Sequence, residues 1–485
     1  MHSGEVERLF HGEVRNNQAG RFPIVKLLSR YVMAASSGDG LSARIVFKAA
    51  ADAGGKAVTL VVTMAAARTL MPDAFGVLAL GMATGWLLGI ATDAGLSMYL
   101  ARETARHRDR ARALVSEVMT IRTATAYTAA ALIALFVSRF VPSHWRLQFL
   151  LVVLAQLTSA VLETLYHLFR GLGRSEIESA IHLSQRAVTV VLALVVLWWW
   201  PRLDFLGAAL LAPPVVALAV AGVLAWCQTP FQILRTEQTL VPEAQSADRN
   251  LTLPIFLRDV LPLGAATLIS ALYFRCDLYF IERWNGLEAV GAYNAVFRLI
   301  EAMRLLPAAV MAVTFPMLCQ AMDTRLVQRI GGWLTAAGIL MLGLTTLASP
   351  LIVRTVYGAP FEHAAPALRV LALALPFFFL NYALTHQVIG WDGQRAYLRI
   401  ASLALVANVL ANLWLVPGLG IMGAAAATVL TELVVTAGCV HALWGPHGLR
   451  AADFRLRGLQ PATFELQPAV PEARSPKPEA RGSGR

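Results

Sequence analysis

Apolar stretches long enough to cross a membrane recur along most of the chain, and they limit its fold more than any other feature. A helix needs about 20 apolar residues to cross about 30 Å of hydrocarbon. The chain has 485 residues, 57% hydrophobic and only 15% charged, and we place twelve such spans in it. They lie at about 45–67, 75–97, 118–138, 147–168, 180–200, 205–226, 260–281, 290–316, 329–349, 365–388, 397–416 and 421–443. The sequence therefore predicts an all-α polytopic membrane protein, which excludes a soluble enzyme and a disordered chain.

The connections between the spans divide the chain into two lobes of six helices. The longest internal connection, residues 227–259, is a predicted cytoplasmic linker between an N-lobe at 45–226 and a C-lobe at 260–443. Residues 1–44 form a polar arm that lacks the apolar core of a signal peptide. Residues 444–485 are rich in Pro, Arg and Glu, which predicts a disordered tail.

Basic residues are unevenly distributed between alternate connections. One side of the membrane carries both termini and arginine clusters such as the one at 102–112. The other side holds only Arg68, Arg139, Arg146, Arg202, Arg283 and Arg354. Because basic residues resist translocation, we expect both termini in the cytoplasm and the protein in the inner (plasma) membrane. Most of the net charge of +11 then reflects topology and lipid, with no need for nucleic acid.

A short internal repeat relates the two predicted lobes. Residues 71–80, MPDAFGVLAL, are similar to residues 287–295, LEAVGAYNA. Aligning Gly76 with Gly291 gives an offset of 215 (291 minus 76). Because six spans separate the copies, the repeat is parallel, with an axis along the membrane normal, as in transporters built from two similar halves.

Charged residues inside spans are candidates for function, because each costs about 2.5 to 3.5 kcal/mol at mid-bilayer. Span 1 carries Lys48, Asp52 and Lys56 at successive i+4 steps, so they share one face of the helix. Asp52 can pair with either lysine, which leaves one positive charge. The alternative for Lys48 is that it extends its amine to the cytoplasmic interface.

Spans 7 and 8 carry the most charge. In span 8, Asn294, Arg298, Glu301 and Arg304 fall on one stripe of the helix, which suits a watery cavity. The alternative is a structural ion pair between helices. Span 7 carries Arg275 and Asp277, on opposite sides of its helix. In span 4, Glu163 and His167 form an i, i+4 pair that either carries a proton or is a buried hydrogen-bonded pair. The four cysteines are far apart and show no metal-ligand spacing, so we expect no metal site and no cofactor.

Five local patterns, spread over residues 44–443, resemble the polysaccharide flippases of the multidrug/oligosaccharidyl-lipid/polysaccharide (MOP) exporter superfamily. The patterns are Ala67-Arg68 with Pro72 and Phe75-Gly76; Asp93-Ala-Gly95-Leu96 with Arg102; Val290-Gly-Ala-Tyr293 with Arg298; Tyr357-Gly358 with Phe361 and Leu368; and Asn408, Asn412, Pro417, Gly420, Gly423, Thr428 and Glu432.

The resemblance implies a transporter of twelve to fourteen helices, with two lobes around a central cavity. It also implies a substrate, an undecaprenyl-pyrophosphate-linked oligosaccharide that crosses the membrane by alternating access. Guanidinium groups bind pyrophosphate oxygens in pairs, so the expected headgroup site comprises Arg275, Arg298, Arg304, Lys48 and Lys56. Candidate coupling or ion-pair residues are Asp52, Asp277, Glu301 and Glu163, and candidate sugar contacts are Tyr273, Tyr293 and Asn294. Expected partners are membrane lipids, a polysaccharide polymerase and a chain-length regulator, and we expect a monomer.

Three other functions fit a chain of this kind. A MATE-like drug or cation antiporter would depend on Asp52, Glu163 or Asp277 more than on Arg298 or Arg304. Lipid II flippases often have two further C-terminal spans, which this sequence lacks, so the polysaccharide branch is favoured. A membrane-embedded glycosyltransferase or polymerase generally needs a large extracytoplasmic loop or a carboxylate-rich site, and neither is predicted here.

Overall fold

The computed structural model describes residues 60–229, 261–311, 314, 324–391 and 393–445, and these are helical with short turns and no strand. Long apolar stretches favour helices in a membrane because every backbone hydrogen bond is satisfied within the segment. The helices are α1 (Leu60–Thr69), α2 (Pro72–Asp93), α3 (Leu96–Arg106), α4 (Ala111–Phe140), α5 (Arg146–Gly171), α6 (Ser175–Trp199), α7 (Leu203–Gln228), α8 (Leu261–Arg275), α9 (Asp277–Met303), α10 (Thr324–Tyr357), α11 (Ala365–Ala372), α12 (Leu375–Gly390), α13 (Gln394–Leu419) and α14 (Ile421–Trp444). The predicted all-α polytopic fold is confirmed.

The helices follow the predicted spans closely. Within the described ranges, eight helices are long and apolar enough to cross a membrane, and the pair α11 and α12, bent by 46°, gives a ninth. Of the predicted first span, only its C-terminal part is described, as α1. Helices α8 and α9 occupy the positions of spans 7 and 8 but do not meet the same test of length and hydropathy. The exact number of twelve spans stays a prediction.

Helix α9 contains a chain reversal at Gly286. This glycine has φ 81° and ψ −179°, a conformation that only glycine adopts easily. The two limbs are residues 277–285 and 287–303, and a hydrogen bond joins Tyr293 to Asp277 across the turn. In a straight helix these two residues would lie about 24 Å apart. The reversal therefore forms the connection between predicted spans 7 and 8.

A second break separates α2 from α3. Ala94 and Gly95 both adopt left-handed conformations, with φ 46° and 90°. The Asp93 carboxylate accepts hydrogen bonds from the backbone N–H groups of Gly95 and Ser97, at 3.2 and 3.3 Å. Because it satisfies free N–H groups at the start of α3, Asp93 acts as a cap. This explains why α2 ends at Asp93, four residues before the predicted end of the second span at residue 97.

The helices form two lobes. In the N-lobe, α5 packs against α2, α3 and α7, and three glycines of α2 at i+4 spacing, Gly81, Gly85 and Gly89, lie against α5. In the C-lobe, α13 packs against α14 and α8, while α10 packs against α12. The lobes meet chiefly where α2 contacts α8 and α9.

The two glycines of the internal repeat pack against each other at this lobe interface. A methyl group added at Gly291 would lie 2.7 Å from the Pro72 carbonyl oxygen, and one at Gly76 would lie 2.8 Å from the Leu287 carbonyl carbon. Each glycine thus contacts the residue four positions before the other, and 287 minus 72 again gives 215. Such reciprocity is what a two-fold axis between the repeats requires. Small residues allow the two backbones to approach this closely.

Other residues of the family-like patterns lie at the same end of the bundle, which we call the Gly286 end. The Arg68 guanidinium donates to the carbonyl oxygens of Thr355 and Val356, the latter at 2.7 Å, at the C-terminal end of α10. The ring of Phe75 meets that of Phe361 edge to face, with centroids 5.7 Å apart. These contacts join the N-lobe to the C-lobe, so the pattern residues at this end mark a contact between lobes that closes it.

Candidate substrate cavity

Two adjoining cavities lie beside α2, one in each lobe. The N-lobe cavity has a volume of about 720 Å³ and is lined mainly by α2, α5 and α6. The C-lobe cavity has a volume of about 690 Å³ and is lined mainly by α2, α8 and α9. Both volumes fall within the range of about 300–1,000 Å³ of ligand pockets. The residues that line both cavities are Met82, Trp86, Ile90, Gln156, Arg186 and Thr267.

An arginine–glutamate–arginine cluster lines the C-lobe cavity. Arg275 donates to Glu301 Oε1 at 2.7 Å, and Arg298 donates to Glu301 Oε2 at 2.8 Å. The reversal at Gly286 brings Arg275, at the end of α8, beside Arg298 and Glu301 on the second limb of α9. One carboxylate therefore pairs with two guanidinium groups, which leaves one positive charge in the cluster.

Arg304 adds a further positive charge to the C-lobe cavity. Its guanidinium lies over the rings of Phe274, Phe378 and Tyr382, at 4.5, 4.3 and 5.6 Å from their centroids. Aromatic faces attract a cation electrostatically and fix its position, while they leave the N–H groups at its edge available to a ligand. Among the described residues, the Nε atoms of Arg304 and Arg298 have no hydrogen-bond partner.

The described lining of the C-lobe cavity is strongly positive. Arg186, Arg275, Arg298 and Arg304 give four positive charges against the one negative charge of Glu301, a net charge of +3. Tyr273 also lines this cavity. The structure thus brings together Arg275, Arg298, Arg304, Glu301 and Tyr273, five of the candidates from the sequence.

Three other candidates lie elsewhere in the C-lobe. Asp277 is buried and accepts a hydrogen bond from the Tyr293 hydroxyl at 2.6 Å, and that hydroxyl is also 3.1 Å from Thr428 Oγ1. Asn294 is buried behind Arg275, which donates to its side-chain oxygen at 3.5 Å. Neither Tyr293 nor Asn294 lines the N-lobe or the C-lobe cavity. Their sugar contacts, and coupling by Asp277, stay predictions that require another conformation.

The arginines of the N-lobe cavity are largely committed to protein groups. Arg122 is fully buried, donates to the Gly89 carbonyl oxygen at 2.9 Å and lies 3.8 Å from Asp93. Arg170 forms a forked ion pair with Glu178, at 2.5 to 2.9 Å. The Arg122 contacts stabilise the break between α2 and α3, and the Arg170–Glu178 pair joins α5 to α6.

Glu163 also lines the N-lobe cavity, separate from the cluster around Glu301. The three carboxylates of its described lining, Asp93, Glu163 and Glu178, balance the three guanidinium groups of Arg122, Arg170 and Arg186. With Arg186, which lines both cavities, counted in each, the described lining of the N-lobe cavity is neutral apart from its histidines, whereas that of the C-lobe cavity is +3. Without Arg186 the two linings carry −1 (two minus three) and +2 (three minus one), so the contrast in charge remains.

Three of the site residues predicted from the sequence lie outside the described ranges. Other residues line the cavities although the sequence does not point to them. Lys48, Asp52 and Lys56 precede residue 60, so their placement stays a prediction. The sequence alone predicts no site role for Arg122, Arg186 or Trp86. Arg122 and Arg186 lie within predicted spans, so the intramembrane charge that singled out Arg298 was also the signal available for them. Trp86 carried no such signal, because tryptophan is common in apolar helices.

The profile of the polysaccharide biosynthesis protein family matches residues 44–322. The chain belongs to this family. Its predicted resemblance to the polysaccharide flippases of the MOP superfamily is thereby confirmed. A sequence search of curated proteins finds no match.

Solved structures of MOP superfamily transporters share the fold. The lipid II flippase MurJ, in an inward closed conformation, superposes with a TM-score of 0.62 at 12% identity, over 82% of this chain and 87% of that one. A MOP superfamily transporter from Pyrococcus furiosus gives 0.55 at 15% identity, over 83% and 94%. The Vibrio cholerae MATE transporter VcmN gives 0.53 at 14% identity, over 86% and 97%. The chain is thus a multi-pass membrane protein with a transporter fold.

Proposed function

We propose that this protein is a flippase that moves undecaprenyl-pyrophosphate-linked polysaccharide repeat units across the inner membrane by alternating access. The family and the fold support a MOP-type transporter. The observation that carries the substrate proposal is the C-lobe cavity, whose described lining has four arginines and one glutamate. Such a concentration of positive charge is costly inside a membrane unless the cavity receives an anion.

A pyrophosphate group suits this cavity chemically. Each guanidinium offers a planar fork of N–H donors that binds two phosphate oxygens at once. Arg298 on α9 and Arg304, which directly follows the end of α9, both line the cavity, and Arg275 approaches from the end of α8, so donors converge from two helices. Lys48 and Lys56 would extend the site from span 1. The prenyl chain remains in lipid between the lobes, while only the headgroup enters the cavity.

Alternating access requires two lobes that can separate at one end while they meet at the other. The contacts of Gly76 with Leu287 and of Arg68 with Val356 hold the lobes together at the Gly286 end. With both termini in the cytoplasm, this end faces outward, and the conformation is closed on that side. Opening there would release the lipid-linked repeat unit to a polymerase and its chain-length regulator. We expect one copy of the chain to be sufficient.

The alternatives depend on different residues. A drug or cation antiporter would use a carboxylate. Glu301, the one acid among the described residues of the C-lobe cavity, is paired with two arginines, and Asp277 is buried against Tyr293, whereas Glu163 is exposed and lines the N-lobe cavity. If the protein is a flippase, neutralising Asp52, Glu163 or Asp277 should affect transport less than neutralising the arginines, and the opposite order would favour an antiporter. A lipid II flippase would share the pyrophosphate site, so complementation with each lipid-linked substrate separates the two flippases.

The test is a double substitution, Arg298→Ala with Arg304→Ala, in a strain that lacks its own flippase. Each lost charge-assisted contact is worth about 1.5–3 kcal/mol, so export should fall at least about 10-fold and lipid-linked oligosaccharide should accumulate at the cytoplasmic face. The exposed Arg139, at the end of α4, supplies the control Arg139→Ala, which should export normally. Normal export by the double variant, at wild-type membrane levels, would overturn the proposal.

A further inference from the structure

We infer that the N-lobe cavity is a saccharide-binding site, in which the sugar next to the pyrophosphate stacks on Trp86. This inference rests on the proposed function and adds a division of labour: the C-lobe cavity binds the charged headgroup, and the N-lobe cavity binds neutral sugar.

The charge of the N-lobe cavity suits a neutral polar ligand. Asp93 is held by Arg122 and by backbone N–H groups, and Glu178 is held by Arg170. The ion pairs cancel most of the local electric field. A pyrophosphate therefore gains little binding energy in the N-lobe cavity and binds in the C-lobe cavity. A sugar, which carries hydroxyl groups and no charge, does not require the cationic lining.

Three polar side chains in this cavity are available to a ligand. Gln156 and Glu163 lie seven residues apart on α5 and therefore share one helix face, while Gln185 projects from α6. Within the described part of the chain, none of the three side chains has a hydrogen-bond partner. Their amides can donate and accept, and the carboxylate accepts, which matches the mixed donors and acceptors of sugar hydroxyl groups.

Trp86 provides the apolar surface that such a site requires. Its side chain is 39% exposed although it lies in the middle of α2, and it lines both cavities. One face of a pyranose ring presents C–H groups, and the negative face of an indole ring attracts them. Gly85, next to Trp86, allows α2 and α5 to approach closely here, because a methyl group on Gly85 would lie 2.6 Å from Gln156 Cβ.

The arrangement of the two cavities matches the covalent order of a lipid-linked sugar. Trp86, Gln156 and Arg186 line both of them, so the spaces adjoin at these residues. A headgroup held by Arg298 and Arg304 would therefore place its first sugar beside Trp86. Further sugars would extend toward Glu163. The volume of about 720 Å³ accommodates a short oligosaccharide.

The experiment compares two ligands that differ only in the sugar. Purified full-length protein in nanodiscs is titrated with undecaprenyl pyrophosphate, and separately with the lipid-linked oligosaccharide that accumulates in a flippase-deficient strain carrying the native polysaccharide genes. Trp86→Ala should weaken binding of the sugar-bearing lipid by about 3- to 10-fold more than it weakens binding of undecaprenyl pyrophosphate. Trp86→Phe, which retains an aromatic face, should restore most of the loss, and Glu163→Gln should weaken only the sugar-bearing lipid.

Trp414, 82% exposed on α13, gives the matched control Trp414→Ala, which should bind both lipids as the wild type does. Equal effects of Trp86→Ala on the two lipids, or no effect on either, would overturn the saccharide site while the flippase proposal stands. If the wild-type protein binds neither lipid, the proposed function itself is wrong and the saccharide site is rejected with it.

Discussion

The two cavities hold similar numbers of arginines but use them differently. In the N-lobe cavity, Arg122 and Arg170 bind carboxylates and carbonyl oxygens of neighbouring helices. In the C-lobe cavity, Arg275 and Arg298 share one carboxylate, and Arg304 rests on aromatic rings. An arginine inside a membrane is therefore no sign of a ligand by itself. What matters is whether the charges around it leave an excess.

The largest expected effect compares the stability of variants in the two lobes. Arg122→Ala removes a buried guanidinium and leaves the Gly89 carbonyl oxygen and the partly exposed Asp93 without it, so we expect a loss of about 3 kcal/mol. Arg298→Ala should cost about 1 kcal/mol, because Glu301 keeps Arg275. Thermal unfolding of the purified variants measures both losses. Similar losses for the two variants would remove the distinction between structural and ligand-binding arginines.

Membrane potential gives the next test. Moving one charge through 100 mV is worth about 2.3 kcal/mol, so flipping in proteoliposomes should accelerate or slow by up to about 50-fold if the C-lobe charges move relative to the field. Arg304→Gln should reduce this ratio of rates. Replacing Arg170 and Glu178 together by Gln removes no net charge from the N-lobe cavity and should preserve the ratio. Equal rates with and without a potential would exclude electrical coupling.

A smaller effect concerns Glu301 in the C-lobe cavity and Glu178 in the N-lobe cavity. Glu301→Gln removes the negative charge that partly cancels Arg275 and Arg298, so inorganic pyrophosphate should bind about 3- to 10-fold more tightly, for a gain of about 1 kcal/mol. Glu178→Gln, in the N-lobe cavity, should change this affinity by less than about 2-fold. Calorimetric titration of both variants makes the comparison. Weaker binding by Glu301→Gln would mean that Glu301 chiefly positions the arginines.

The smallest expected change in transport separates the cavity from the interior of the C-lobe. Tyr293→Phe removes the hydrogen bond to the buried Asp277 carboxylate and should cost about 1.5–3 kcal/mol of stability, with transport within 2-fold of the wild type. Tyr273 lines the C-lobe cavity, so Tyr273→Phe is the matched variant there. Flipping rates and thermal stability, measured for both variants, show whether each tyrosine acts in transport or only in stability. A folded Tyr293→Phe protein without transport would place this pair in the transport machinery.

Much of the fold could be predicted because its causes are local in sequence. Apolar length predicts spans, and helical periodicity places Arg298, Glu301 and Arg304 on one face, as the cavity lining shows. The repeat around Gly76 and Gly291 was also visible, and it lies at the lobe interface. The charged stripe of span 8 was open to two interpretations, a cavity lining and an ion pair between helices. The structure contains both features, because Glu301 pairs with two arginines and the same cluster lines the C-lobe cavity.

Other features could not be predicted because their causes are distant in sequence. Whether Arg122 faces a ligand or a protein carboxylate depends on α2, and whether Trp86 meets lipid or a cavity depends on how closely α5 and α6 approach it. Tyr293 was expected beside the sugars, but the turn at Gly286 directs its hydroxyl to Asp277.

The sequence by itself thus determined the membrane class, the family and the surplus of positive charge. Only the tertiary structure decided where that surplus lies, because burial and pairing of each charge depend on helices that meet from different parts of the chain. Arg275 and Glu301 are 26 residues apart in sequence and 2.7 Å apart in space. That pairing, with Arg298 and Arg304 beside it, turns a set of scattered arginines into one cationic cavity.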